Sequence, residues 1–137
     1  MRKHQVRIGF IAAGFMNIGG VLLFSRVFTN DAINQADPVV MSNFGLLMIA
    51  VWGLAYLGAA TLNTGIKWLA GAFAIEKFVY VVAWSMWHAN NSVMALYSKD
   101  LFAGTFFSIY GLNDLVFMLF FVWVFFSFPT EKLETRR

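Results

Sequence analysis

Four long runs of apolar residues, separated by polar connections, dominate the pattern of positions along this chain. They cover about residues 8–28, 40–62, 66–88 and 105–128. Each run is close to the roughly 20 residues that a helix needs to cross about 30 Å of hydrocarbon. The pattern therefore predicts an all-α fold, an integral membrane antiparallel four-helix bundle in which residues 1–137 form a single transmembrane domain.

The amino-acid composition supports a membrane protein and excludes several chemistries. Hydrophobic residues make up 60% of the chain and charged residues 12%, and the mean hydropathy is +0.69, which is too apolar for a soluble domain of this length. The chain contains no cysteine, so disulfides and thiolate metal sites are excluded. Because His4 and His88 fall on different segments, we expect no metal, haem or other cofactor within one chain.

The distribution of lysine and arginine predicts the orientation of the bundle. Arg26 and Lys99 fall at one end, and Lys77 lies inside a segment. The basic residues at the other end, which holds both termini, are Arg2, Lys3, Arg7, Lys67, Lys132, Arg136 and Arg137. The positive-inside rule then places both termini in the cytoplasm, and we expect a bacterial inner membrane. Since this clustering follows membrane topology, the net charge of +3 does not indicate a nucleic-acid partner.

The two outer connections carry local signals. Pro38, at the end of a polar loop, is expected to set the entry into the second helix. The residues Val93, Met94, Leu96 and Tyr97 predict an amphipathic turn that lies at the membrane interface.

Five polar residues interrupt the apolar segments near their middles. They are Asn17, Glu76, Lys77, Asn113 and Asp114. At about 1.5 Å per helical residue, Asn17 and Lys77 lie roughly 16 Å below the outer ends of their segments, and Asp114 roughly 13 Å below its own. We therefore expect one intramembrane polar cluster. A charge at mid-bilayer costs roughly 2.5–3.5 kcal/mol on insertion scales, so such residues tend to be paired, to face inward and to take part in function.

Glu76 and Lys77 are adjacent but are not expected to pair with each other, because successive helical side chains diverge by about 100°. We predict that Lys77 pairs with Asp114. Glu76 then takes Asn17, a water or a ligand, or carries a proton because burial penalises its charge. The alternative to a functional cluster is an ion pair that fixes helix register, with Asn17 and Asn113 as interhelical hydrogen-bonding groups.

Aromatic side chains with polar tips lie on the outer side of these charges, at helical spacing. Together they predict the lining of a ligand pocket that opens toward the outer leaflet. The alternative is an interfacial aromatic belt with an interfacial histidine. The residues concerned are Tyr80, Trp84, Trp87, His88 and Tyr110.

The sequence resembles the DoxX-like group of small four-helix bacterial membrane proteins. The resemblance covers the whole chain in length, helix count and inferred topology, and includes Gly111-Leu112-Asn113-Asp114 in the fourth segment. It implies a membrane-embedded bundle with links to respiratory or redox systems. The arrangement of Glu76 with the outer aromatic residues is also similar to the sterol-isomerase-like four-helix fold. Small multidrug exporters share the size, but their essential glutamate lies in the first helix, where this chain has only Asn17.

Three functions fit these observations. The favoured hypothesis is a non-enzymatic binding or accessory subunit that holds a hydrophobic, quinone-like or lipid-like molecule, or that docks onto a larger membrane complex. The second is a proton-coupled small transporter or channel, which needs a homo-oligomer because four helices offer little room for a path. The third is a membrane lipid isomerase with Glu76 as general acid/base, which ranks last because Lys77 lies beside any carbocation.

Overall fold

The computed structural model describes residues 2–131, and 81% of them are helical, with no strand in that range. Lys132, Arg136 and Arg137, which contribute to the predicted charge bias, lie outside the described residues. The helices are α1 (Arg2–Phe24), α2 (Asp31–Ala36), α3 (Asn43–Ala59), α4 (Ile66–Asn90), α5 (Val93–Lys99) and α6 (Leu101–Ser127). The all-helical prediction is therefore confirmed.

Three helices, α1, α4 and α6, are long and apolar enough to cross a membrane by length and composition, and α3 is a shorter apolar helix of 17 residues. The predicted amphipathic turn at Val93 forms the helix α5. The short helix α2, which the sequence analysis did not predict, begins after Asn30, whose side chain accepts a hydrogen bond from the Ala32 N–H.

The first long helix ends at Phe24 and not near residue 28 as predicted. Beyond it, Arg26, Val27 and Phe28 adopt φ of 48°, 56° and 62°, a left-handed conformation that residues other than glycine rarely take. Ser25 holds this turn, because its carbonyl accepts hydrogen bonds from the backbone N–H groups of residues 29 and 30 at 2.8 and 2.9 Å. Apolar side chains at 27 and 28 gave no sign of a helix end.

The starts of two helices also differ from the predictions, because capping side chains determine where these helices begin. Helix α3 begins at Asn43 and not near residue 40, since the Ser42 hydroxyl accepts a hydrogen bond from the Gly45 N–H at 3.0 Å. Pro38 lies in the turn before this cap. Helix α6 begins at Leu101 and not near residue 105, because Asp100 accepts a hydrogen bond from the Ala103 N–H at 2.9 Å.

The long helices pack as two hairpins, α1 with α3 and α4 with α6, and the hairpins meet where α1 packs on α6. The helices α1 and α3 come very close at Gly14 and Gly53. A Cβ added to Gly14 would lie 2.8 Å from the Gly53 carbonyl oxygen, and one added to Gly53 would lie 2.9 Å from the Gly14 carbonyl oxygen. Glycine is therefore required at both positions for this approach.

Buried apolar side chains form two clusters, one on each side of a polar layer. The cluster nearer the termini includes Phe10, Tyr56, Phe73 and Phe121, whose rings pack together with centroids 4.8–5.9 Å apart. The cluster nearer the two outer connections includes Ile33, Met41, Trp87, Leu96 and Phe107. The buried polar residues Asn17, Glu76, Lys77 and Asp114 occupy the level between the clusters.

Candidate functional site

Lys77 lies at the centre of the polar layer and is only 1% exposed. Its ammonium donates to Asp114 Oδ1 at 2.7 Å and to Asn17 Oδ1 at 2.8 Å. Helices α4, α6 and α1 supply these three side chains, so the ammonium ties three helices together. The pairing of Lys77 with Asp114 is the one that depth counting along the helices predicts.

Asn17 connects the fourth long helix to this group. Its side-chain amide nitrogen donates to the Ile49 carbonyl of α3 at 3.0 Å, while its oxygen accepts from Lys77. Both functions of the amide are therefore used within the bundle. Neither of these two bonds is made with Glu76.

Asn113 lies at the edge of the layer. It is half-buried, and its amide nitrogen lies 3.4 Å from Asp114 Oδ1, which makes a weak contact. The neighbouring Gly111 accommodates the Trp84 ring, since a Cβ there would overlap the indole. The Gly-x-x-Asp sequence of α6 thus combines a packing position with the partner of Lys77.

Glu76 takes a partner that the sequence analysis missed. The hydroxyl of Tyr56, on α3, donates to Glu76 Oε2. Tyr56 is fully buried, and Lys77 Nζ lies 5.3 Å from the centroid of its ring. The tyrosine thus contacts both members of the Glu76–Lys77 dipeptide, which point to different neighbours.

The direction in which the Tyr56 side chain leaves its helix could have identified it as a partner of Glu76. Counted by Cα position, Tyr56 lies nearer the termini than Glu76 does. However, Cα–Cβ bonds tilt toward the N-terminus of a helix, and α3 runs toward the termini, so its side chains lean back toward the middle of the bundle. A long side chain such as tyrosine then reaches the level of Glu76.

Two buried polar atoms have no hydrogen-bond partner among residues 2–131: Glu76 Oε1 and the Tyr110 hydroxyl. Buried polar atoms are nearly always satisfied, and one left without a partner costs about 1–3 kcal/mol. Both atoms are therefore candidates for a contact with a water or a ligand.

Each of these residues borders a cavity. Glu76 borders a groove of about 560 Å³ between α3 and α4, whose other walls are almost entirely apolar. Residues of this groove used below are Val40, Phe44, Met48, Trp52, Val79 and Tyr80. Tyr110 borders a smaller cavity of about 70 Å³ on the opposite side, between α1 and α6, together with Asn17, Asn113 and Asp114.

The five predicted pocket-lining aromatic residues do not surround one cavity. Trp84 Nε1 donates to the Phe107 carbonyl at 2.6 Å, and His88 Nε2 lies 2.8 Å from the same oxygen. Trp87 Nε1 donates to the Ala36 carbonyl at 2.9 Å. These three side chains hold α4 against neighbouring segments, whereas Tyr80 and Tyr110 border cavities on different sides.

The geometry therefore divides the predicted cluster into two parts. Asn17, Lys77 and Asp114 satisfy one another and connect the helices. Glu76 stands apart with Tyr56, beside a groove, with one oxygen unpaired. Among residues 2–131 no group of three or more histidine, aspartate or glutamate side chains is arranged to hold a metal ion.

Comparison with protein-family models, with curated protein sequences and with solved structures finds no match to this chain. The class that the fold defines is an all-helical bundle with helices apolar and long enough for a membrane. The resemblance to DoxX-like proteins stays a prediction, and function rests on the site itself.

Proposed function

We propose that this chain is an integral membrane protein that binds a hydrophobic, lipid-like molecule in the groove between α3 and α4. Its four long helices cross the membrane with both termini in the cytoplasm, and the resemblance to DoxX-like proteins suggests a bacterial inner membrane. The observation that carries the binding proposal is Glu76, a buried carboxyl group with an unpaired oxygen beside a large apolar groove.

The outward surface of the bundle supports the placement in a membrane. Large apolar side chains on the long helices point away from the core, and several are more than 60% exposed: Phe15, Phe44, Trp68 and Phe126. Contiguous apolar surface of this kind is unstable in water but is satisfied by lipid. Helix α3, with 17 residues, lies at the short end of the range that spans a bilayer.

The groove has the dimensions and polarity of a site for a small hydrophobic molecule. Ligand pockets typically enclose about 300–1,000 Å³, with apolar walls and a few polar groups that orient the ligand. The α3–α4 groove, at about 560 Å³, falls in this range, and Val40, Met48 and Val79 are typical of its walls. Glu76 is the one carboxyl group among the described residues that line it, and we propose that it supplies the orienting contact.

The charges in the polar layer limit the chemical classes of ligand that suit Glu76. Lys77 and Asp114 neutralise each other, so an ionised Glu76 would leave the layer with one uncompensated negative charge. A hydroxyl group suits Glu76 in either state, because it donates to a carboxylate and accepts from a protonated carboxyl. We therefore propose a ligand with an apolar body and a hydroxyl head, the class to which quinols and lipid alcohols belong.

Photo-crosslinking tests this proposal with two matched probes, a long-chain alcohol that carries a diazirine and the same molecule with hydrogen in place of the hydroxyl group. The alcohol is expected to label residues that line the groove, and the hydrocarbon to label them about tenfold less, because it can neither donate to Glu76 nor accept from it. The double variant Tyr56→Phe/Glu76→Leu removes both polar partners together and should reduce labelling by the alcohol to the level of the hydrocarbon. Equal labelling by the two probes would overturn the role of Glu76.

Two variants on α4 separate binding in the groove from general partition into the surrounding apolar phase. Val79 and Val82 are both exposed valines, but Val79 borders the groove and Val82 is not among its lining residues. Val79→Phe should block labelling by the alcohol, whereas Val82→Phe should leave it unchanged. If both variants label as the wild type does, the groove is not the binding site.

The second candidate function is a proton-coupled transporter that acts as a homo-oligomer. The observation that favours it is the small cavity beside Tyr110 and Asp114, since the polar layer then borders cavities on two opposite sides. In this case Glu76 carries the proton, and Glu76→Gln should abolish proton-coupled uptake in proteoliposomes. Uptake at the wild-type rate would exclude Glu76 from such a mechanism.

A further inference from the structure

The end of the molecule that holds the N-terminus contains a cavity far from the polar layer. It has a volume of about 260 Å³ and lies where the start of α1, the end of α3 and the start of α4 meet. Its polar lining comes from Lys3, His4, Arg7 and Asn63, and apolar side chains form the rest. It is therefore a mixed cavity, basic on one side and apolar on the other.

Among the residues that the structure describes, the basic side of this cavity has no carboxylate. Lys3 and Arg7 are four residues apart on α1 and so lie on the same face of the helix. The ion pairs among residues 2–131 are Arg26–Asp100 and Lys77–Asp114, and neither involves this cluster. Two permanent positive charges therefore face one cavity with no anion to balance them in the described part of the chain.

Arg7 is held in place at this cavity. Its Nε donates to the Ala60 carbonyl, at the end of α3, at 3.1 Å. This bond uses one of the five N–H donors of the guanidinium group. Four donors remain for an anion, and phosphate oxygens match the geometry of a guanidinium group well.

The backbone adds positive charge from the opposite wall. Ile66, the first residue of α4, lines the cavity, and the capping position Gly65 makes no side-chain hydrogen bond to the helix. Within residues 2–131, the first N–H groups of this 25-residue helix therefore lack a side-chain acceptor, and the helix dipole favours an anion here.

The apolar side of the cavity distinguishes between anions. Val6 and Phe10, which lie beneath the basic residues on α1, are fully buried and close the floor of the cavity, and the exposed Leu62 supplies an apolar wall. A free phosphate ion makes no favourable contact with such a wall, whereas the acyl chain of a phospholipid can pack against it while the phosphate binds the basic side. We infer that this cavity binds the phosphate group of an anionic phospholipid from the cytoplasmic leaflet, an inference that rests on the membrane placement proposed above.

Native mass spectrometry of the full chain in detergent tests this site. Delipidated protein is mixed with phosphatidylglycerol or with phosphatidylcholine of the same acyl chains. The wild type is expected to retain phosphatidylglycerol, and Lys3→Gln and Arg7→Gln each to weaken that retention about tenfold. The Lys3 side chain makes no hydrogen bond among the described residues, so Lys3→Gln keeps the test valid if Arg7→Gln disturbs the fold.

Lys67→Gln is the matched control, because Lys67 lies at the same end of the molecule but outside this cavity, with its ammonium bonded to the Phe125 and Phe128 carbonyls. It should retain phosphatidylglycerol as the wild type does. An equal loss in all three variants would overturn the site and leave only general attraction to basic residues. Competition by inorganic phosphate alone would assign the cavity to a free ion and overturn the lipid.

Failure of this site is distinguishable from failure of the proposed groove. Phosphatidylglycerol retention should be unchanged in Val79→Phe, since that groove lies between α3 and α4 and shares no lining residue with this cavity. Likewise, Lys3→Gln should not alter labelling of the groove by the alcohol probe. Loss of both activities in either variant would contradict the assignment of two separate sites.

Discussion

Lys77 depends on Asp114 and Asn17 at a position that water does not reach. Breaking a buried ion pair by removing one partner costs about 3–5 kcal/mol, because it leaves an uncompensated charge, whereas replacing both partners by apolar residues is often neutral. The stability of the layer should therefore depend on the balance of charge and not on the number of ion pairs.

This balance gives the first prediction. Asp114→Leu should lower the free energy of unfolding in detergent by about 3–5 kcal/mol, and the double variant Lys77→Met/Asp114→Leu should recover most of the loss. Asn113→Leu is the control, since Asn113 is half-buried and bonds only weakly to Asp114. A double variant as unstable as Asp114→Leu would show that the layer does not act through charge pairing.

At the residue scale, the sequence was enough to predict a pair whose two residues lie at the same depth along their helices. It was not enough where a long side chain extends along the helix to a partner at another depth. Lys77 and Asp114 have similar depth, so counting residues was enough to pair them. Tyr56 contacts Glu76 through the length and tilt of its side chain, which Cα counting does not include. Whether Glu76 Oε1 has a hydrogen-bond partner depends on the positions of all the neighbouring side chains, and no sequence pattern contains that information.

At the scale of helices, contact between α1 and α3 depends on Gly14 and Gly53. Gly53→Ala should destabilise the protein by about 1–3 kcal/mol, because the new methyl group meets the Gly14 carbonyl and the Ile18 side chain. Gly58→Ala, on the same helix, has open space around the new Cβ and should be neutral or stabilising by up to about 1 kcal/mol. Thermal unfolding of the two variants in detergent measures this difference, and equal effects would contradict the close approach.

Asp100 controls the junction between the end of α1 and the start of α6. It caps α6, and its carboxylate accepts from Arg26 at 2.6 Å and from Asn30 at 2.8 Å. Desolvation raises the pKa of Asp100, but hydrogen bonds from Arg26, the backbone and Asn30 outweigh it and hold the pKa below its usual 3.8. The ionised form is therefore the one that stabilises the fold.

The sign of this shift gives a prediction about pH. Because the folded pKa is lowered, the contribution of Asp100 is complete above pH 3.8 and is lost as the pH falls below that value toward the folded pKa. The stability difference between the wild type and Asp100→Asn should therefore shrink in this window. Unfolding measured as a function of pH tests this, with Asp31→Asn, an exposed carboxylate at the same end, as the control; a constant difference would contradict the role of Asp100.

The same junction shows why helix ends were harder to predict than helices. The left-handed turn at residues 26–28 has no glycine and is held by Ser25 and Asn30, which flank it, and by Asp100, which is far away in sequence. Its apolar side chains continue the hydrophobic run, so the pattern predicted more helix. By contrast, Asn30, Ser42 and Asp100 are residue types that commonly cap helices, and they carried a usable signal for the starts of α2, α3 and α6.

At the scale of the whole molecule, the hydrophobic pattern was enough to predict four apolar helices, because segment length and composition are local properties. The hydrophobic pattern did not indicate which helices pack against each other. Helices α1 and α6 join the two hairpins, and this leaves the space between α3 and α4 as the groove. Which side of a bundle stays open depends on the shapes of all four helices together, so the site on that side could not be predicted.

The orientation in the membrane can be tested directly, because the chain contains no cysteine. Thr64→Cys and Ser98→Cys place single exposed thiols at opposite ends of the bundle. In intact bacterial cells, a membrane-impermeant maleimide should label Ser98→Cys, and it should label Thr64→Cys only after lysis, because both termini are proposed to be cytoplasmic. The opposite pattern would reverse the proposed topology, and equal labelling in intact cells would contradict a membrane-spanning bundle.

The central claim is that the α3–α4 groove holds a lipid-like molecule with a hydroxyl head at Glu76. Native mass spectrometry of the protein extracted from its membrane in mild detergent tests it most directly. We predict that the wild type and Val82→Phe carry an added mass that corresponds to one hydroxyl-bearing hydrophobic molecule, and that Val79→Phe and Tyr56→Phe/Glu76→Leu lose it. Bare wild-type protein, or the same added mass in all four proteins, would contradict the claim.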